Sequence, residues 1–316
     1  MKILLLGANG QVGFELLRTL APLGDVVAAT RGGGLDDGAR CLQADLADPI
    51  SLARALFDAD ADVIVNAAAY TAVDRAEDEP DLADRVNHLA VAELAAFARE
   101  RGALVVHYST DYVFAGSANR PYREDDATAP LGIYGGSKLA GEDALRASGA
   151  AHLVFRTAWV YAARGGNFLR TMLRLAGERA ELRVVADQVG APTPARWIAD
   201  ATAAAIARWR EVDVESRPAL DGVYHLVAGG QCSWCDFAEA IMQEADARRL
   251  LAHLPRVLPV PTSAWPTRAQ RPAYSVLDCA KLENTFGLQL PDWKDGLRSV
   301  LDEIAGHAVP LQLFRP

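Results

Sequence analysis

The chain has little of what a nucleic-acid-binding or membrane protein needs. Its net charge is −9, so no basic excess exists to track a phosphate backbone. One small basic pocket for a phosphorylated ligand stays compatible with that balance. No stretch comes near the ~20 apolar residues of a membrane span. The opening "MKILLLG" carries one Lys and a short apolar run. It gives way to "GANGQVG", not to a longer apolar stretch with a small-residue cleavage site, and so reads as a first β-strand of a cytoplasmic protein.

Cysteine is scarce too. Cys41, Cys232, Cys235 and Cys279 are the only four in 316 residues, too few and too scattered for a disulfide framework. Cys232 and Cys235 form a C-x-x-C, the spacing of a redox or zinc pair. No second C-x-x-C and no H-x-x-x-H supplies two further zinc ligands. Ser233 before an amphipathic run marks a helix start instead, with both cysteines as small, half-buried side chains.

What is present is apolar patterning, at 51% of residues, enough for a globular protein with one large core or two domains. Strand-like and helix-like segments alternate through the first half. "KILLLG", "DVVAAT", "ADVIVNAAAY" and "ALVVHYSTDYVF" read as strands. "QVGFELLRTLAPLG" has apolar residues at helical spacing, and "DLADRVNHLAVAELAAFARERG" predicts one long amphipathic helix. This alternation predicts an α/β fold, a doubly wound parallel sheet with right-handed crossovers. After "HLVFRTAWVY" the character changes, and prolines crowd between Pro255 and Pro272. The expected division is a dinucleotide-binding domain over 1–160, to which the chain returns later, and a smaller, irregular substrate-binding domain over 161–316, sharing one cleft.

Such sheets bind ligands beyond the carboxyl ends of their strands. After the first strand, Gly7, Gly10 and Gly13 are spaced G-x-x-G-x-x-G and open a helix. The first glycine allows the tight turn, the second lets backbone approach a pyrophosphate, and the third lets helix and strand pack closely. The helix N-terminus offers free N–H groups to the phosphates. Alone the pattern is common; between a strand and a helix it has weight. Arg31, after the second strand, suits a 2′-phosphate and favours NADPH over NADH, with solvated surface as its plainer role. Asp45 and Leu46 fall beside the expected adenine. Ala67, Ala68 and Ala69 offer small side chains to the nicotinamide ribose.

"APLGIYGGSKLAGE" places Tyr134 four residues before Lys138, one helical turn apart and facing the same way. An ammonium there favours phenolate and predicts a lowered Tyr134. The phenol then gives a proton to a carbonyl oxygen as hydride reaches its carbon, while Lys138 holds the ribose hydroxyls. "HYSTDYVF" supplies Ser109, Thr110 and Asp111 after the fifth strand, and Thr110 is the choice for the hydroxyl that bonds the phenol or the substrate oxygen. Arg271, before Pro272, is a candidate for a substrate diphosphate, with a surface ion pair as the equal alternative. His107 and His225 sit inside strands and read as structural.

Together these residues resemble the extended short-chain dehydrogenase/reductase family, and within it the reductases of dTDP-linked 4-keto sugars. The resemblance runs along nearly the whole chain. It rests on "GANGQVGFEL", "DVIVNAAAYTAVDRAE", "HYSTDYVFAG", "APLGIYGGSKLAGE", "FRTAWVYA", "DQVGAPT", "GVYHLVA" and "RPAYSVLD". It implies reduction of the 4-keto group of a dTDP-6-deoxy-L-hexulose to dTDP-L-rhamnose with NADPH or NADH, a step toward lipopolysaccharide. By the same resemblance Tyr134 is the general acid and Lys138 its partner. Thr110 and Asp111 contact the sugar nucleotide, as does Trp159 unless it belongs to the core. Asn9, Gly10, Gln11 and Val12 hold the cofactor phosphates. Some members carry Mg²⁺ between subunits on acidic side chains, and Glu15 matches one such position. Arg196 stands where a second acid is expected, so no metal is expected and a homodimer is left open. The competing activities are a nucleotide-sugar 4-epimerase or dehydratase on the same scaffold, and a non-catalytic regulatory subunit. A dehydratase would be better served by Glu than by Tyr112 after Asp111.

Overall fold

A computed structural model describes residues 1–306. The first half runs β1 (Lys2–Leu6), α1 (Gln11–Leu20), β2 (Asp25–Thr30), β3 (Leu42–Gln43), α2 (Pro49–Ala59) and β4 (Val63–Asn66), then α3 (Val73–Ala76), α4 (Pro80–Asp84), α5 (Ala90–Arg101), β5 (Leu104–Thr110), α6 (Ile133–Ser148) and β6 (His152–Thr157). The second half runs β7 (Val160–Tyr161), α7 (Phe168–Glu178), β8 (Glu181–Val185), β9 (Val189–Gly190), β10 (Thr193–Pro194), α8 (Ala195–Glu211) and β11 (Gly222–His225), then β12 (Cys232–Ser233), α9 (Trp234–Ala247), β13 (Arg256–Val260), α10 (Ala280–Phe286) and α11 (Trp293–Ile304).

Seven parallel strands form the main sheet in the order β11-β6-β5-β4-β1-β2-β3. Alternation sorts the strand residues onto two buried faces. Ile3, Leu5, Val63 and Val65 belong to the core that α1, α8 and the second half cover. Leu4, Leu6 and Ile64 belong to the core under α2 and α5. Strands covered on both faces must be apolar throughout, as "KILLL" and "VIVN" nearly are. Strand order reverses at β1 and β4, which leaves a crevice above their carboxyl ends.

β11 falls inside the region 161–316, yet pairs with β6 and extends the main sheet. The rest of the second half makes two-stranded pieces, β7 with β10, β8 with β13 and β9 with β12. Ser233 caps α9 in a capping box with Asp236. Cys232 and Cys235 are buried and free, and burial pushes both thiols up.

One expectation is corrected. The single helix predicted across "DLADRVNHLAVAELAAFARERG" is interrupted by a π turn at Arg85–Leu89, between α4 and α5. Asn87 in that turn reaches out, accepting from Tyr70 N at 2.9 Å and donating to Tyr70 O at 3.0 Å. It also donates to Ser137 Oγ on α6 at 3.1 Å. The wider turn serves these bonds, which a periodicity of 3.6 does not announce. Among the described residues no helix is long and apolar enough to cross a membrane.

Candidate active site

The glycine loop sits where β1 meets the crevice. Gly7 has φ +80°, and a Cβ there would stand 2.7 Å from Ala68 N. A Cβ on Gly13 would overlap Gly7 O at 2.0 Å. Glycine is therefore required for the turn and for the approach of β1 to α1. Gly10 is the N-cap of α1 and no side chain caps that helix. Its first amides point into the loop, a donor set that fits a dinucleotide's phosphates. Asn9 does something the sequence does not disclose: its side chain donates to Gly34 O at 3.0 Å and accepts from Asp36 N at 3.2 Å. It holds the loop after β2, where Arg31 is exposed. Gln11 accepts from Asn167 Nδ2 at 2.8 Å. Arg164 lies 3.6 Å above the Phe14 ring and pairs with Asp36, so the second half reaches over this loop. Asp45 N is bonded to Ser51 Oγ, and Leu46 O accepts from Arg85.

β5 and α6 bring Thr110, Asp111 and Tyr134 together. The Thr110 hydroxyl donates to Asp111 Oδ1 at 3.1 Å and accepts from Tyr112 N at 3.2 Å. It also hydrogen-bonds the Tyr134 phenol. Burial pushes Tyr134 up to about 12; the bond with Thr110 works against this and the Asp111 charge works with it. Asp111 itself is pushed up to about 6, chiefly by burial, with hydrogen bonds from Ser275 and Thr110 opposing. Its Oδ2 has no partner among the described residues.

The expected lowering of Tyr134 by Lys138 is reversed. Lys138 is 1% exposed, and its Nζ turns to His107 Nε2 at 3.1 Å. Burial lowers Lys138 to about 8, against a pull upward from Glu142. His107 is therefore no bystander of the core: it touches Lys138 on one side and Asn66 on the other, at 3.2 Å. Behind them Arg156 and Glu142, 2% and 0% exposed, form an ion pair to which Ser109 donates. The sequence hinted at Glu142, one turn beyond Lys138 in "SKLAGE", but held no sign of Arg156 as its partner.

Arg271 is already occupied. It donates to both oxygens of Asp74, at 2.7 and 3.1 Å, and hydrogen-bonds Tyr112, whose ring meets Tyr134 edge-on at 5.9 Å. Arg268 pairs with Asp78 beside it. Between these segments lies a cavity of about 10 Å³ lined by Val73, Glu77, Tyr112, Tyr134, Gln270 and Pro272. That is room for about one water, so any larger ligand entering here must part the two segments. Trp159 stacks on Trp234 at 3.5 Å and packs against Gly190. It also has φ +49°, costly strain for a bulky residue.

The Mg²⁺ ligand set does not fit. Glu15 lies 3.8 Å from Arg18, which bonds Asp200 at 2.9 Å, and the Arg196 charge also acts on Glu15. The charges of Glu303 and Asp200 act on Glu15 as well, but two guanidinium groups share these acids, and among the described residues no three candidate ligands gather for a hard cation. His225 Nδ1 donates to Asp278 O at 3.1 Å, inside the fold.

A family profile described as "RmlD substrate binding domain" matches residues 1–305. A dTDP-4-dehydrorhamnose reductase of Burkholderia thailandensis is 52% identical over 299 residues, covering 93% of this chain and 96% of the relative. One of Shigella flexneri is 48% identical over 304 residues, covering 96% and 98%. A crystal structure of the dTDP-4-dehydrorhamnose reductase of Bacillus anthracis in complex with NADP superposes with a TM-score of 0.82 at 34% identity, covering 96% of this chain and all of that one.

Proposed function

The chain belongs to the RmlD substrate-binding-domain family, and from that premise we propose that it reduces the 4-keto group of dTDP-4-dehydro-L-rhamnose to give dTDP-L-rhamnose. The relatives that carry this activity by name span nearly the whole chain. The observation that carries the reading here is the meeting of Tyr134 with the hydrogen-bonded Thr110–Asp111 pair at the end of β5.

NADPH, when bound, supplies the hydride, and NADH is the poorer alternative. Gly7, Gly10 and Gly13 with the amides of Gln11 and Val12 hold the phosphates. Arg31 meets the 2′-phosphate, Asp45 and Leu46 flank the adenine, and Ala67, Ala68 and Ala69 leave room at the ribose. A phenol held near 12 stays protonated at neutral pH. Tyr134 is then a proton donor, its phenol beside the Thr110 hydroxyl and its proton ready for a ketone oxygen. The nascent alkoxide is the stronger base and takes the proton. Thr110 and Asp111 orient the sugar, and Lys138 holds the ribose hydroxyls of the cofactor. Arg271 exchanges Asp74 for the substrate diphosphate, and Trp159 walls the sugar. Residues 1–160 with the returning β11 serve the cofactor, and most of the remainder serves the sugar nucleotide. A cytoplasmic location fits a nucleotide-sugar substrate.

The test is direct: the protein is mixed with dTDP-4-dehydro-L-rhamnose and NADPH, then NADH, and the reduced-nicotinamide absorbance is followed. Consumption with NADPH supports the reading. No consumption with either cofactor overturns it.

A further inference from the structure

Four polar groups stand in line beneath the crevice. Ala68 N donates to Asn66 Oδ1 at 3.2 Å. Asn66 Nδ2 lies 3.2 Å from His107 Nδ1, and His107 Nε2 lies 3.1 Å from Lys138 Nζ. Asn66, His107 and Lys138 are each 1% exposed, so solvent offers none of them a substitute partner.

The line has a direction. A backbone amide is a donor and cannot be reversed, so it fixes the Asn66 carbonyl oxygen toward itself. The Asn66 amide protons then face His107 Nδ1, which must present its lone pair. A neutral imidazole with Nδ1 bare carries its proton on Nε2, aimed at Lys138. A lysine amine has a lone pair to accept it. An ammonium has three donors and no acceptor, and would meet the Nε2–H head-on.

We propose that Asn66 and His107 are positioning residues whose directed hydrogen-bond chain holds Lys138 toward its free-amine form in the resting site. This rests on the reading of Lys138 as a member of the reducing site. Other groups face the lysine too. Tyr134 and Glu142 share its helix, and Glu142 favours the ammonium. That carboxylate is shared, however, with Arg156 of β6 and Ser109 of β5. From β4 the uncharged Asn66 reaches it only through His107. The lowering of Lys138 to about 8 by burial acts in the same direction as the chain, and burial holds His107 neutral, with a further push whenever Lys138 is charged.

The chain can be reversed by one isosteric change. In Asn66→Asp a carboxylate accepts from Ala68 N and from a His107 Nδ1–H, which bares Nε2 to accept from an ammonium. The experiment is ¹⁵N NMR of histidine-labelled, cofactor-free protein at about pH 9, one unit above the lysine's titration, with His107 assigned by its absence in His107→Gln. Expected is the Nε2–H tautomer in the wild type and the Nδ1–H tautomer in Asn66→Asp. The basic limb of the kcat–pH profile should move up by about one unit in that variant. An Nδ1–H or doubly protonated His107 in the wild type overturns the inference, whether or not Asn66→Asp folds. Wild-type turnover by Lys138→Met, with the Nε2–H tautomer intact, would instead overturn the functional reading alone.

Discussion

The Arg156 guanidinium lies against the Glu142 carboxylate in complete burial, Nη2 at 2.7 Å from Oε2 and Nε at 3.0 Å from Oε1. Ser109 completes the carboxylate, and Arg156 stacks 5.1 Å from the Phe114 ring. The pair ties β6 to α6, and Ser109 joins the end of β5 to it, which sets Thr110 beside Tyr134. Removing one partner strands the other charge away from water. Arg156→Met should therefore cost about 3–5 kcal/mol. Arg156→Met with Glu142→Leu should recover part of that loss. Urea unfolding of the single and double variants checks this, and equal losses in both would contradict it.

α6 is capped from outside. Gly132, its N-cap, has no side chain, and Glu77 Oε1 accepts from Ile133 N at 2.9 Å. A Cβ on Gly132 would stand 2.5 Å from that oxygen. Glu77→Ala and Gly132→Ala should each cost about 1 kcal/mol. Combined, they should cost little more than either alone, because both remove one cap. Denaturant midpoints of the three variants decide it; strict additivity would break the link.

Asp111 makes stability depend on pH in a specific window. Its carboxyl is raised from an ordinary 3.8 to about 6 by burial, so the folded protein binds that proton more tightly than the unfolded chain. The contribution to stability is complete below about pH 4 and lost as pH rises through about 6. Asp111→Asn keeps an acceptor for Thr110 and drops the buried charge. It should melt higher than the wild type at pH 8, with the gap closing toward pH 4, while turnover falls. Melting curves at both pH values test the sign.

Arg31 is exposed after β2, free to meet a 2′-phosphate. Arg31→Ala should lower kcat/KM for NADPH about tenfold and leave NADH nearly unchanged, the loss of one charge-assisted contact. Steady-state kinetics with both cofactors measure it. An equal fall for both would remove Arg31 from cofactor choice.

The sheet was legible because its strands are buried on both faces, so that "KILLL" and "VIVN" stand out as apolar runs ended by Gly7 and by Ala67. The glycine loop was legible because local backbone geometry dictates it. Tyr134 and Lys138 were legible as a one-turn pair, but the direction of each side chain was not. His107, forty-one residues from Asn66 and thirty-one from Lys138, meets them only through strand order. The π turn at Arg85–Leu89 and the Asp74–Arg271 pair likewise depend on contacts between distant segments, and no periodicity records those.

Tyr134 as the proton donor is tested most directly by comparing Tyr134→Phe with the wild type in two readouts, NADPH affinity by fluorescence titration and turnover of dTDP-4-dehydro-L-rhamnose. The phenyl ring keeps the packing against Tyr112 and removes only the hydroxyl that bonds Thr110. NADPH should bind the variant as it binds the wild type, and turnover should fall by about 10²–10⁴-fold. Turnover at the wild-type rate would contradict the account.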